Sequence, residues 1–121
     1  MSKTILVVDD SASLRQVVRM ALQAAGHTVL EAGDGKAALA LLDGRVVDMA
    51  VCDVNMPVLN GIEFVNSVKT LPGYKFMPVL MLTTEIADKK REEVKAAGAK
   101  AWMTKPFIPM QLVKAVNKLC A

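Results

Sequence analysis

Thr4-Ile5-Leu6-Val7-Val8-Asp9-Asp10 is the stretch that decides the fold. Five β-branched or aliphatic residues in succession leave no polar face, so the run reads as a strand buried on both sides. Two consecutive acids then end it. Beyond them Leu14, Val17, Val18, Ala21, Leu22 and Ala25 recur at helical spacing, with Gly26 as the stop. Ser13 and Gln16 have the spacing of a capping box at that helix's start. Thr28-Val29-Leu30 predicts a second, shorter strand, and Asp34-Gly35 opens a helix around Ala38, Leu41 and Leu42.

The pattern repeats. Met49-Ala50-Val51-Cys52 is a third apolar run ended by Asp53, followed by a loop with Pro57 and Asn60-Gly61 and a helix through Ile62, Val65 and Val68. Pro78-Val79-Leu80-Met81-Leu82 is the fourth strand, ending at Thr83. A helix with a thin apolar stripe (Ala87, Val94, Ala97) is expected from Asp88 to Ala97. Lys100-Ala101-Trp102-Met103-Thr104 is the fifth strand, ending at Lys105-Pro106, and Leu112, Val113, Val116 and Leu119 mark a last helix. Five strands alternating with five helices, three of the strands continuously apolar, predict a doubly wound α/β domain with a five-stranded parallel sheet.

Composition bounds the function. The 121 residues are 53% hydrophobic and 22% charged, enough for one domain spanning 1–121. Two cysteines and one histidine support neither a disulfide framework nor a zinc cluster. No run reaches the roughly 20 apolar residues of a membrane span, and the start lacks a signal-peptide core. A cytoplasmic protein without membrane association is expected. The net charge of +3 divides unevenly, −2 over residues 1–60 and +5 over 61–121. No aromatic interleaving or recognition-helix pattern accompanies the basic half, so solvated lysines are expected there, not DNA binding.

The chemistry lies at the strand ends. Asp9, Asp10, Asp53, Thr83 and Lys105 each follow an apolar run, and in a doubly wound sheet those ends share the ligand-binding edge. Clustered carboxylates raise one another's pKa, and a hard cation removes that cost. Oxygen donors without Cys or His select magnesium or manganese. A lysine and a hydroxyl beside the cation suit phosphoryl oxygens, with a carboxylate as attacking group. Each residue alone has a duller reading, as a helix cap, a loop acid or a turn. Their coincidence at one edge carries the weight.

The strings Leu6-Val7-Val8-Asp9-Asp10, Asp53-Val54-Asn55-Met56-Pro57 with Asn60-Gly61, Leu82-Thr83 and Lys105-Pro106-Phe107 resemble the receiver domain of two-component response regulators. Thr83-Thr84-Glu85 and the stretch from Gly98 to Phe107 are similar to the stand-alone CheY-type chemotaxis regulators. The resemblance implies strand order 2-1-3-4-5, which periodicity alone does not give. It implies Asp53 as phosphoacceptor and Mg2+ held directly by Asp10, Asp53 and the main-chain carbonyl of Asn55, with Asp9 acting through water. Thr83 becomes the switch hydroxyl and Lys105 the phosphate-binding lysine, with a cis Lys105-Pro106 bond. Asn55 and Glu85 fall where the family tunes self-dephosphorylation. Two positions depart from the pattern. Trp102 stands where the switch aromatic is usually Tyr or Phe, and Thr84 where Ala is frequent.

The resemblance further implies a signalling switch rather than an enzyme, catalysing only its own phosphoryl transfer and slow autodephosphorylation. The donor would be a CheA-like sensor histidine kinase. The output would be a protein effector such as the flagellar motor switch, met through the Asp88–Ala97 helix, strand five and the last helix. Lys89, Lys90, Arg91 and Lys114 would give that face basic charge for an acidic partner. No output domain is expected beyond residue 121, so a protein partner is expected to carry the effect. A receiver of a non-chemotaxis relay is the nearest alternative. A haloacid-dehalogenase-type phosphatase needs an acid-base Asp where Ser11 stands. A flavodoxin-like carrier needs a phosphate loop that Asp9-Asp10 would repel, and the intact acceptor set argues against a receiver-like module that works without phosphorylation. Met20, Met49, Met81 and Met103 are expected as core fillers, Cys52 as packing and His27 as an exposed loop residue.

Overall fold

The apolar runs do become the buried centre of a sheet. In the computed structural model, which describes residues 2–54, 60–83 and 99–120, β1 is Thr4–Val8, β3 is Met49–Asp53 and β4 is Val79–Thr83. Every residue of β3 and β4 is buried, as are all of β1 except Thr4. β2 (Thr28–Ala32) and β5 (Ala101–Thr104) flank them and are only partly covered. All pairings are parallel, in the order β2-β1-β3-β4-β5. The expected order holds. β2 runs two residues beyond the Thr28–Leu30 read from sequence, because Glu31 and Ala32 still pair with Val7 and Val8.

Residue alternation along each strand sorts the core into two layers. Leu6, Val8, Ala50, Cys52 and Met81 face α2 (Gly35–Leu41) and α3 (Gly61–Val68), where Ala38, Phe64, Val65 and Val68 are buried. Ile5, Val7, Met49, Val51, Leu80 and Leu82 face α1 (Ala12–Ala24) and α4 (Pro109–Leu119), where Val18, Leu22, Leu112 and Val116 are buried. Helices thus cover both faces. The helix expected from Asp88 to Ala97 lies outside the described residues, which contain four helices. No described helix is long and apolar enough to cross a membrane.

Several local expectations need correction. The N-cap of α1 is Ser11, whose hydroxyl accepts from the Leu14 N–H at 3.3 Å, so Ser13 and Gln16 form no capping box there. Met20 is 58% exposed and Val17 is exposed too, because the buried stripe of α1 narrows to Val18 and Leu22. Met49 and Met81 do fill the core, and Met103 packs at its edge. Cys52 is buried packing, as expected, and burial pushes its thiol pKa well up.

His27 is buried rather than exposed. Its Nδ1 accepts from the Lys3 N–H at 3.2 Å, and its Nε2 lies 2.7 Å from Asn117 Oδ1. A backbone N–H can only donate, so Nδ1 is bare and Nε2 carries the proton toward Asn117. The imidazole therefore ties the entry of β1 to α4, 90 residues away in sequence.

One glycine governs how the sheet meets α3. A Cβ on Gly61 would stand 2.9 Å from Val54 Cα, 2.6 Å from Met81 Cε and closer still to the Asp53 carbonyl oxygen. Only glycine lets the start of α3 close over the end of β3. Asn60 and Glu63 complete a reciprocal capping box at that point.

Candidate functional site

Parallel strands end together, so their following residues meet at one rim. Asp9 is the first residue past β1, Asp53 the last of β3, Thr83 the last of β4, and Lys105 the first past β5. The Asp9, Asp10 and Asp53 carboxylates each offer an oxygen, all within 4.8 Å of one another. Asp9 and Asp53 are buried while Asp10 is exposed, so the cluster opens to solvent on one side. Lys105 Nζ sits between two of them, 3.2 Å from Asp9 Oδ2 and 3.1 Å from Asp53 Oδ2.

The local chain fixes these positions. The Asp9 N–H donates to the Ala32 carbonyl at 3.1 Å, and its Oδ1 accepts from the Ser11 N–H at 2.9 Å. The Lys105 N–H donates to the Thr83 carbonyl at 2.8 Å, joining the ends of β4 and β5. Lys105-Pro106 is cis, as the resemblance implied. Thr83 is buried at this rim and pairs in register with Thr104. Trp102 pairs with Met81, which puts Trp102 and Thr83 on one face of the sheet as diagonal neighbours. Asn55, Thr84 and Glu85 lie outside the described residues.

The electrostatics follow from burial and proximity. Burial, aided by the neighbouring charge of Asp53, raises the Asp9 pKa although the Ser11 N–H and Lys105 oppose it. Burial alone would depress Lys105. Hydrogen bonds and attraction to Asp53 and Asp9 outweigh it and raise the ammonium pKa instead. Among the described residues, three carboxylates against one ammonium leave the rim with surplus negative charge. An all-oxygen donor set, with a buried acid held in its costly charged form, fits a hard divalent cation such as magnesium. The one nearby thiol, Cys52, donates to the Asp53 carbonyl at 3.4 Å and adds no soft ligand.

The sequence-read residues that are described thus converge on one rim. What sequence reasoning missed is Arg15, whose Nη1 donates to the Asp9 carbonyl at 2.6 Å beside Glu31. Those partners lie on different elements, and no motif links them.

Comparisons with known proteins agree with this geometry. The family model for the response regulator receiver domain matches residues 5–117. The solved chemotaxis protein CheY4 of Vibrio cholerae superposes with a TM-score of 0.93 at 46% identity, covering 98% of this chain and 99% of that one. The chemotaxis protein CheY of Pseudomonas aeruginosa is 34% identical over 116 residues, 95% of this chain and 94% of its own length. The phosphate regulon transcriptional regulatory protein PhoB of the same bacterium is 35% identical over 111 residues, 92% of this chain but 48% of PhoB. With the parallel 2-1-3-4-5 sheet and an acidic rim closed by a lysine, this chain belongs to the response regulator receiver domain family.

Proposed function

We propose that the chain is a phosphorylation-activated switch in which Asp53 accepts a phosphoryl group from a histidine kinase. A carboxylate oxygen of Asp53 forms the new O–P bond as the P–N bond of a phosphohistidine breaks. The imidazole leaves with the bonding pair and takes up a proton. Asp9, Asp10, Asp53 and the Asn55 carbonyl would hold magnesium, which when bound neutralises charge on the carboxylates and phosphoryl oxygens. Lys105 supplies a fixed point charge beside the acceptor, and the Thr83 hydroxyl binds a phosphoryl oxygen of the product. Occupied and empty states would then favour different arrangements of Thr83 and Trp102. Slow loss of the phosphoryl group to water, tuned at Asn55 and Glu85, returns the switch, and Thr84 narrows access for small donors.

The observation that carries this reading is the placement of Lys105 Nζ within 3.2 Å of both Asp9 and Asp53. The likeness to two proteins named for chemotaxis supports a CheA-like donor and the flagellar motor switch as effector, in the cytoplasm. The surface of residues 88–97, β5 and α4, with Lys89, Lys90, Arg91 and Lys114, would meet an acidic partner. The 35% identity to PhoB, beside 34% to the CheY of the same bacterium, supports a second reading, a receiver in a relay other than chemotaxis.

The test is incubation with magnesium and acetyl phosphate or beryllofluoride, following intact mass and Trp102 emission. The wild-type chain gains one phosphoryl mass and its emission changes, whereas Asp53→Asn does neither. A mass gain that persists in Asp53→Asn moves the acceptor elsewhere and ends the proposal.

A further inference from the structure

Asp9 is held at four points, and three come from its immediate surroundings: the Ala32 carbonyl, the Ser11 N–H and Lys105. The fourth does not. Pairing between β1 and β2 stops at Val8 and Ala32, so the Asp9 carbonyl lies beyond the ladder. It accepts from Arg15 Nη1 at 2.6 Å. Arg15 Nε stands 3.4 Å from Glu31 Oε1, and the other oxygen of Glu31 accepts from Arg19 Nη1 at 2.9 Å. Arg15 and Arg19 lie one helical turn apart on α1, while Glu31 pairs with Val7 from β2. A continuous chain of contacts therefore runs from the sheet edge through a guanidinium to the main chain of Asp9.

We infer that Arg15, braced by Glu31, is a positioning residue for cation binding, fixing the β1–α1 junction so that Asp9 and Asp10 converge on Asp53. The inference rests on the reading of that acidic cluster as a magnesium site. Removing the guanidinium has two effects of opposite sign. Loss of a positive charge near three carboxylates would tighten a cation. Release of the Asp9 carbonyl would loosen it, since the groups that orient metal ligands typically govern affinity by 10–100-fold. Arg15 is partly solvent-exposed and stands against Glu31, so screening keeps the first effect small. The second wins.

Calorimetric titration of the metal-free chain with MgCl2 separates the cases, with unfolding temperatures measured alongside. Arg15→Met, which keeps an apolar stem, is expected to weaken magnesium binding about tenfold. Arg19→Met removes the other arm of Glu31 without touching Asp9 and is expected to stay within about twofold of wild type. A purely structural role lowers the melting temperature of Arg15→Met but leaves its magnesium affinity unchanged. Unchanged or tighter binding by Arg15→Met overturns the inference while the metal reading stands. Should Arg15→Met fail to fold, Arg15→Lys carries the same test: it keeps the charge, shortens the donor arm and is expected to weaken binding about fivefold. A wild-type chain with no saturable magnesium binding overturns the metal reading and this inference together.

Discussion

At the scale of single residues, the site is costly for the fold that carries it. Burial and the charge of Asp53 hold the Asp9 pKa above its ordinary 3.8. Folded Asp9 therefore binds its proton more tightly than the unfolded chain does. Its contribution to stability falls as pH rises from 3.8 through the raised folded value. Asp9→Asn removes that loss and keeps an oxygen for the Ser11 N–H. Metal-free Asp9→Asn is expected to be more stable than wild type at pH 7, with the gap closing toward pH 4. Thermal melts across that range check it, and a gap that widens on acidification contradicts it. The acids, Thr83 and Lys105 were legible in the sequence because a polar residue directly after a buried strand has few places to go. Met20 and His27 were not. Met20 lies about 200° around α1 from Val18, off the buried stripe. His27 is covered by a helix 90 positions away, which no local pattern announces.

At the scale of elements, helix starts and close approaches decide stability. Two serines near the start of α1 look alike in the sequence, and only Ser11 has the extended backbone that lets its hydroxyl cap the helix. Ser11→Ala is expected to cost about 1 kcal/mol, whereas Ser13→Ala, inside the helix, costs nothing or stabilises by a few tenths. Denaturant midpoints distinguish the two, and equal effects would return the cap to the sequence-based position. Gly61 gives the sharper case. A methyl there overlaps the Asp53 carbonyl and Val54 Cα, both backbone, so neither can rotate away. Gly61→Ala is expected to lose about 1–3 kcal/mol and to disturb the Asp53 end of β3. A melt indistinguishable from wild type would show that α3 can shift outward freely. The Asn60-Gly61 pair reads as a turn in the sequence. Its second role, admitting α3 against β3, depends on the packed distance and is invisible there.

At the scale of the whole molecule, strand periodicity made the α/β class legible, while strand order had to come from resemblance because parallel neighbours are not sequence neighbours. The two core layers assign α1 and α4 to one face and α2 and α3 to the other, and the carboxyl ends of β1, β3, β4 and β5 meet at one rim. A ligand bound there stabilises the folded chain as a unit. Magnesium at ten times its dissociation constant is expected to add ~1.4 kcal/mol, a rise of roughly 3–6 °C in melting temperature. A chelator should reverse the rise, and a melt insensitive to magnesium would argue against cation binding at the rim. The opposite rim holds the chain's one imidazole, buried and with both ring nitrogens engaged, one by a main-chain N–H and one by Asn117. It directly precedes β2, at the strand starts, whereas Asp53 is the last residue of β3. That imidazole is spent on joining the entry of β1 to α4, so under the proposed function the phosphohistidine donor is a histidine other than His27.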